Sequence, residues 1–230
     1  MTVISPAAVA SSTKLPIRRR MVVLVAIAAA GGLLFLPLLS AGSRQPVSAV
    51  AGFALVATLV ATLAIWPGLR CADAVGLPMP YLRLLDGVAA PIPRRALAVS
   101  TMWGTALGVA AAVLLRAVHA PSFPGGVLAR LLSTVFVAGA LEMILHLGIM
   151  SIVIWLARGR RSVGVIAATA VFVLLQSTGG ALDHPMAVIA VSTVTNVVTG
   201  IVVGLLYLAY GFEFAVVCRA LTYLIPVLAT

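Results

Sequence analysis

The chain contains little charge and few aromatic residues. Charged side chains make up 9% of its 230 residues and aromatic ones 6%, and only five residues are Asp or Glu. Soluble domains carry roughly 25% charged residues, so this composition excludes a water-soluble globular fold. The chain is instead 63% hydrophobic, with a mean hydropathy of +1.21. These values indicate an integral membrane protein.

Cysteine is also scarce, since Cys71 and Cys218 are the two in the chain. They lie in different contexts and lack metal-type spacing, so we expect free thiols and no structural disulfide. The net charge of +10 would suggest nucleic-acid binding in a soluble protein. Here the basic residues flank apolar runs, which is the pattern that orients membrane proteins. The expected partner is therefore the lipid bilayer and not a nucleic acid.

Long apolar runs predict seven transmembrane helices. A span needs about 20 residues, so this length holds about six to eight helices and no sizeable soluble domain. The predicted spans are residues 21–39, 48–66, 96–118, 127–156, 163–176, 185–208 and 212–228. We expect an all-α transmembrane bundle forming one domain over residues 21–230, behind an N-terminal tail over residues 1–20. A signal peptide is the alternative interpretation of the first run, but that run is long for one.

Two segments between the runs carry helix-breaking residues. Residues 67–95 contain several prolines and mixed charges, which favours an interfacial elbow or a short amphipathic helix over a span. The stretch at 177–180, Ser-Thr-Gly-Gly, is expected to end the fifth span.

Basic residues predict the orientation of the chain, because cytoplasmic loops are enriched in Lys and Arg. With the N-terminus in the cytoplasm, the inner side carries Lys14, Arg18, Arg19, Arg20, Arg70, Arg83, Arg94, Arg95, Arg158, Arg160 and Arg161. The outer side carries only Arg44, Arg116 and Arg130. Richness in Ala, Val and Arg with almost no lysine is typical of a GC-rich bacterium. We therefore expect a bacterial plasma-membrane protein with a cytoplasmic N-terminus.

Glu142 and His146 lie four residues apart inside the fourth apolar run. An ionisable residue at bilayer depth costs roughly 2.5–3.5 kcal/mol, so it marks a functional site by default. A spacing of four places both side chains on one helix face, where they can share a proton or a ligand. The alternative interpretation is a buried polar pair that only fixes helix packing.

Other polar side chains lie in the later runs. Arg219 is in the seventh run and needs a partner in hydrocarbon, and Glu142 is the acid at comparable depth. Gln176 ends the fifth run, and Asn196 lies in the sixth. One hypothesis is that Glu142 and Arg219 lock two helices together and the other polar groups are satisfied in the core. The other is that these residues and His146 converge on a cavity near the membrane surface.

The order of these residues resembles the motifs of the CAAX protease and bacteriocin-processing (CPBP) family of intramembrane proteases. Residues 139–150 are similar to its first motif, which has two glutamates, three further residues and an arginine; those positions hold Leu141, Glu142 and His146. Phe172 and Gln176 stand where the family has phenylalanine, three residues and histidine.

The last two runs resemble the end of the same family. Asn196, Gly200 and Gly204, followed by residues 206–215, are similar to its glycine-rich helix, tight turn and final helix. The family's final histidine, and the asparagine or aspartate four residues on, are replaced by Arg219 and Tyr223. The resemblance covers residues 121–224 as a CPBP-like core, and residues 68–95 also fit the N-terminal half of the family.

The resemblance implies a CPBP fold with catalytic positions at Glu142, His146, Gln176 and Arg219, and substrate-binding positions at Asn196 and Phe172. In the family, glutamates and histidines are taken to activate a water that attacks a peptide carbonyl. Glutamine cannot relay a proton, and arginine stays protonated. The leading hypothesis is therefore a degenerate enzyme, or pseudoprotease, that binds a membrane-embedded or lipidated peptide, such as a prenylated one.

Two alternatives remain open. One is an active intramembrane endopeptidase that uses Glu142 and His146. The other is a small transporter or accessory subunit in which the Glu142–Arg219 pair gates a pathway. No cofactor is expected, because a catalytic zinc needs three protein ligands and only Glu142 and His146 are suitable. His119 and His184 fall in predicted outer loops.

Overall fold

The computed structural model describes residues 19–30, 47–85, 87, 94–118, 127–178 and 185–229. These residues form helices and short connections and contain no strand, which confirms the predicted all-α class. Helix α1 covers residues 19–30. The others are α2 (Val47–Ala74), α3 (Pro80–Leu84), α4 (Arg94–Ala117), α5 (Val127–Glu142), α6 (Ser151–Leu156), α7 (Arg161–Thr178), α8 (Met186–Tyr210) and α9 (Phe212–Ala229).

Four helical segments of the described residues are long and apolar enough to cross a membrane: Arg94–Ala117, Val137–Leu156, Met186–Tyr210 and Phe212–Ala229. They indicate a multi-pass membrane protein. A fifth helix, Arg161–Gln176, is apolar but shorter. Residues 31–39 of the first predicted span lie outside the described residues.

Helix α2 continues past Pro67, so the prediction that it ends at residue 66 is wrong. A helix end was expected there because proline lacks a backbone N–H and its ring clashes with the carbonyl group of the preceding helical turn. The helix nevertheless extends to Ala74, with Leu69 and Ala72 fully buried beyond the proline. Packing of this last part against the core outweighs the local preference. The predicted elbow therefore begins only after Ala74, and its short helix is α3.

A π-helical segment, Met143–Met150, connects α5 to α6. A π-helix is wider than an α-helix and is frequent at functional sites. Helix α2 lies directly against it: a Cβ on Gly68 would be 2.2 Å from the Leu147 carbonyl oxygen, and one on Gly148 would be 2.9 Å from Ala64 Cβ. The predicted fourth span is thus helical throughout but not α-helical throughout.

Paired glycines bring the other membrane helices together. On α4, a Cβ at Gly104 would be 2.7 Å from the Cys218 carbonyl oxygen of α9, and one at Gly108 would be 2.9 Å from the Leu221 carbonyl oxygen. Gly200 and Gly204 repeat this spacing on α8, facing α7. Small residues four apart allow such backbone approach between membrane helices. This packing places α7, α8 and α9 around the polar groups of the π segment.

Helices α8 and α9 join through the single residue Gly211, which has a φ of 117° and confirms the predicted tight turn. A Cβ there would lie 2.6 Å from the Pro78 carbonyl oxygen, so the turn contacts the segment before α3. Glu213 Oε1 accepts a hydrogen bond of 2.8 Å from the Leu82 backbone N–H. The carboxylate thereby ties α9 to α3.

The ends of α1 and α2 are joined by an ion pair. Arg20 Nη1 and Nη2 donate to Asp73 Oδ1 and Oδ2 at 3.1 and 2.8 Å. Cys71, near the same end of α2, and Cys218 on α9 are free thiols, as predicted.

Candidate functional site

Glu142 is the last residue of α5 and lies at the centre of a buried polar cluster. Arg219 Nε on α9 donates a hydrogen bond of 2.7 Å to Glu142 Oε1, which confirms the expected pairing of these charges. His146 Nδ1 lies 2.7 Å from Glu142 Oε2. The exposed fractions of the three side chains are 0%, 0% and 1% for Glu142, Arg219 and His146. The triad, as we call these three residues, is therefore closed to solvent.

The two contacts to Glu142 differ in alignment. The Arg219 bond is a charge-assisted hydrogen bond, the strong type that a guanidinium forms with a carboxylate. The His146 contact is as short, but neither Nδ1 of His146 nor Oε2 of Glu142 has an aligned hydrogen-bond partner among the described residues. Nε2, on the other side of the ring, has no hydrogen-bond partner among the described residues.

Aromatic rings hold the guanidinium of Arg219. Its Cζ lies 4.1 Å from the ring centroid of Phe172 on α7 and 5.9 Å from that of Tyr223 on α9. Both distances are within the roughly 6 Å range of cation–π attraction. Phe172 is itself fully buried. The positive charge is therefore stabilised by one carboxylate and by the two π faces.

The remaining predicted site residues, Gln176 and Asn196, form no hydrogen bond with Glu142 among the described residues. Gln176 is exposed, and its Nε2 donates a hydrogen bond of 2.9 Å to Tyr223 Oη. It is linked to Arg219 only through that ring. Asn196 is half-buried on α8, and no hydrogen bond or ion pair among the described residues joins it to the triad. The structure thus brings the triad and Phe172 together, connects Gln176 indirectly and leaves Asn196 apart.

Sequence reasoning missed a second polar contact next to His146. Ser151 Oγ donates to the His146 carbonyl oxygen at 3.1 Å and lies 2.8 Å from Tyr207 Oη. Because a serine hydroxyl has one proton, the tyrosine must be the donor of the second bond. The Tyr207 ring meets His146 edge-on, with 6.0 Å between centroids. The only signal in the sequence is the spacing of five from His146 to Ser151, which suits a π-helix but not an α-helix.

Replacing Ser151 should cost more stability than replacing Tyr207. In Tyr207→Phe the serine keeps its bond to the His146 carbonyl, so we expect a loss of about 0.5–1.5 kcal/mol. In Ser151→Ala the buried tyrosine hydroxyl loses its partner, and we expect a loss of about 1–3 kcal/mol. Unfolding of both variants in mixed detergent micelles measures the difference. A larger loss for Tyr207→Phe would contradict this hydrogen-bond order.

Among the described residues, no group of three or more His, Cys, Asp or Glu side chains is placed to hold a metal ion. His119, Asp183 and His184 lie outside it.

Comparison of the chain with models of known protein families, with curated proteins and with solved structures gives no match. The site must therefore be interpreted from its own chemistry. One oxygen of Glu142 accepts a charge-assisted hydrogen bond from Arg219, the other lies 2.7 Å from His146 Nδ1, and the side chain is fully buried. This arrangement suits charge pairing more than proton transfer to a bound water.

Proposed function

We propose that this chain is a pseudoprotease of the CPBP type, which binds a membrane-embedded or lipidated peptide without cleaving it. The observation that carries the proposal is the closed state of Glu142, whose two oxygens lie 2.7 Å from Arg219 Nε and from His146 Nδ1. Peptide hydrolysis needs a base in contact with water and a group that returns the proton. Here the carboxylate is already paired, and arginine cannot take up its proton in turn.

The packing of the motif positions supports the resemblance on which the proposal rests. Glu142, Phe172 and Arg219 belong to three motifs that are distant in the sequence, and they contact one another around one guanidinium. The substituted position Gln176 lies at the surface, where it cannot serve a buried reaction. The motif positions thus keep the spatial arrangement that the resemblance implies, while the residue types at several of them differ from those of the family.

The wider assignment is part of the same proposal. It comprises seven spans, a CPBP-like core over residues 121–224, a cytoplasmic N-terminus and a bacterial plasma membrane. The four apolar membrane-type helices and the distribution of Arg and Lys support it. Labelling of single cysteines introduced at positions 14 and 230 from each side of the membrane would test the orientation.

An assay of peptide hydrolysis by the purified chain in lipid nanodiscs tests the absence of cleavage. We expect no turnover of a membrane-embedded or prenylated peptide by the wild type, and retention of the intact peptide on the nanodiscs. The Glu142→Gln variant is the control, because it keeps the size of the side chain and removes the only carboxylate of the triad. Hydrolysis by the wild type that Glu142→Gln abolishes would overturn the proposal.

That outcome would support the second candidate, an active endopeptidase. The observation in its favour is the short contact between His146 Nδ1 and Glu142 Oε2 beside a π-helical segment. If His146 served as the base, His146→Gln would remove turnover while leaving peptide binding unchanged. If the chain is a pseudoprotease, neither Glu142→Gln nor His146→Gln changes peptide hydrolysis, because the wild type has none.

A further inference from the structure

A groove lies between α1 and the end of α3, away from the triad. Its volume is about 330 Å³, and it is lined by Arg19, Val22 and Val23 of α1 and by Leu85, which follows α3. Ligand sites commonly measure about 300–1,000 Å³, so the groove is large enough to hold part of a small molecule. One side of it is open to the surroundings of the bundle.

The rotation of α1 determines which side chains line this groove. Arg20 and Leu24, four residues apart, are buried, and Asp73 on α2 binds Arg20. Arg19 and Val23 have the same spacing and form the neighbouring face of the helix. The ion pair between Arg20 and Asp73 therefore fixes α1 in the orientation that presents Arg19 to the groove.

Helix ends meet at the level of Arg19. Helix α2 ends one residue after Asp73, the ion-pair partner of Arg20. The turn between α8 and α9, at Gly211, contacts the segment before α3. The ends of membrane helices lie at the lipid head groups, where long basic side chains place their charge. The two valines of the groove follow Arg19 by one helical turn, on the side of the acyl chains.

Arg19 carries a positive charge that no described acid neutralises. Its side chain is exposed, and it forms no hydrogen bond or ion pair with another described residue. Of the acids that the structure describes, Asp73 and Glu142 pair with other arginines, and Glu213 accepts a hydrogen bond from the backbone of α3. The groove thus combines one unneutralised cation with an apolar wall.

We propose that the groove binds an anionic phospholipid, with the phosphate on Arg19 and an acyl chain along the valines and Leu85. A guanidinium donates charge-assisted hydrogen bonds to a phosphate, and the apolar wall suits a hydrocarbon chain. The described lining offers no acid for the cation of a zwitterionic head group, which favours a lipid of net negative charge. Basic pockets between membrane helices on the cytoplasmic side are typical sites for such lipids. The bound lipid bridges α1 and α3.

Native mass spectrometry of the full chain measures this preference. The protein is released from micelles that contain equal amounts of phosphatidylglycerol and phosphatidylcholine with the same acyl chains. We expect phosphatidylglycerol to bind about fivefold more tightly, the contribution of one arginine at an anionic surface. Equal occupancy by the two lipids would overturn the proposal.

A pair of matched variants distinguishes a site from general attraction to a basic surface. Arg19→Gln should abolish the preference for phosphatidylglycerol. Arg94→Gln is the control, because Arg94 is exposed outside the groove at the start of α4, which runs parallel to α9 and begins at the same end of the bundle. We expect this variant to keep the preference. An equal loss in both variants would overturn the site.

Two further variants test the apolar wall and the neighbouring acid. Val22 is 63% exposed, so Val22→Trp fills the groove without disturbing the core, and we expect phosphatidylglycerol binding to fall as in Arg19→Gln. Asp86, next to Leu85, lies outside the described residues. Asp86→Asn removes a negative charge and should keep or enlarge the preference. Unchanged binding in Val22→Trp, or a smaller preference in Asp86→Asn, would contradict the proposal. None of these variants alters the triad, so their failure leaves the proposed function in place.

Discussion

Removing one charge of the Glu142–Arg219 pair is expected to destabilise the protein by about 3–5 kcal/mol, because the partner charge stays buried and unpaired. Both side chains have an exposed fraction of 0%, so solvent cannot screen the remaining charge. We expect this loss in Glu142→Leu and in Arg219→Met. Titration of the chain in mixed micelles with a denaturing detergent, followed by circular dichroism, measures the free energy of unfolding.

The double variant should regain most of what each single variant loses. A buried ion pair costs much desolvation, so apolar side chains of similar size often replace both partners without a net loss. Met in place of Arg219 would still pack on Phe172. If the losses in Glu142→Leu and Arg219→Met simply add in the double variant, the two side chains are not coupled and the lock is refuted.

A more exposed ion pair provides the comparison. Arg20 and Asp73 form a bond of 2.8 Å in which the Asp73 side chain is 32% exposed and the Arg20 side chain 4% exposed. Because solvent reaches the carboxylate of this pair and asparagine can still accept a hydrogen bond from Arg20, Asp73→Asn should cost less than Glu142→Leu. The contrast attributes the large effect at Glu142 to burial and not to the presence of a charge pair as such.

Gly68→Ala should be the most damaging single-methyl change in the described helices. The added Cβ would lie 2.2 Å from the Leu147 carbonyl oxygen, which belongs to the π segment and cannot rotate away. Overpacking usually costs about 1–3 kcal/mol, and we expect the upper end because the obstacle is backbone. Helix α2 would have to move away from the segment that positions Glu142 and His146.

Gly139→Ala is the matched control on the preceding helix α5. A Cβ there would meet no atom within 4 Å, so only the higher helix propensity of alanine acts. That preference is worth roughly 0.5–1 kcal/mol in favour of the variant. The same micelle titration should therefore move in opposite directions for the two variants. A neutral result at Gly68 would show that α2 does not pack so closely on the π segment.

Local sequence signals predicted several features of the fold. Long apolar runs indicated the helices. The resemblance of residues 206–215 to a family segment with a tight turn implied the turn between α8 and α9, which lies at Gly211, where the φ of 117° favours glycine. Because an isolated charge in hydrocarbon is costly, Arg219 was predicted to pair with Glu142. The structure shows this pair. Such features follow from a few residues and one physical rule.

Features set by packing between distant segments could not be predicted. The continuation of α2 beyond Pro67 depends on burial of Leu69 and Ala72 against other helices. The amino acids of the π segment are the same types as those of the neighbouring α-helices, so the sequence did not predict the π-helix. The Ser151–Tyr207 hydrogen bond that depends on it was therefore not predicted either. A pattern of motif spacings also says nothing about exposure, so Gln176 was expected at the site but lies at the surface.

A crystal structure of the chain grown in a lipid phase would show the contact between the Glu142 carboxylate and the Arg219 guanidinium. We expect Oε1 of Glu142 within hydrogen-bonding distance of Arg219 Nε, with no ordered water between the two groups. A carboxylate separated from the guanidinium by water, with His146 free to take a proton, would contradict the closed pair and favour a site competent for hydrolysis.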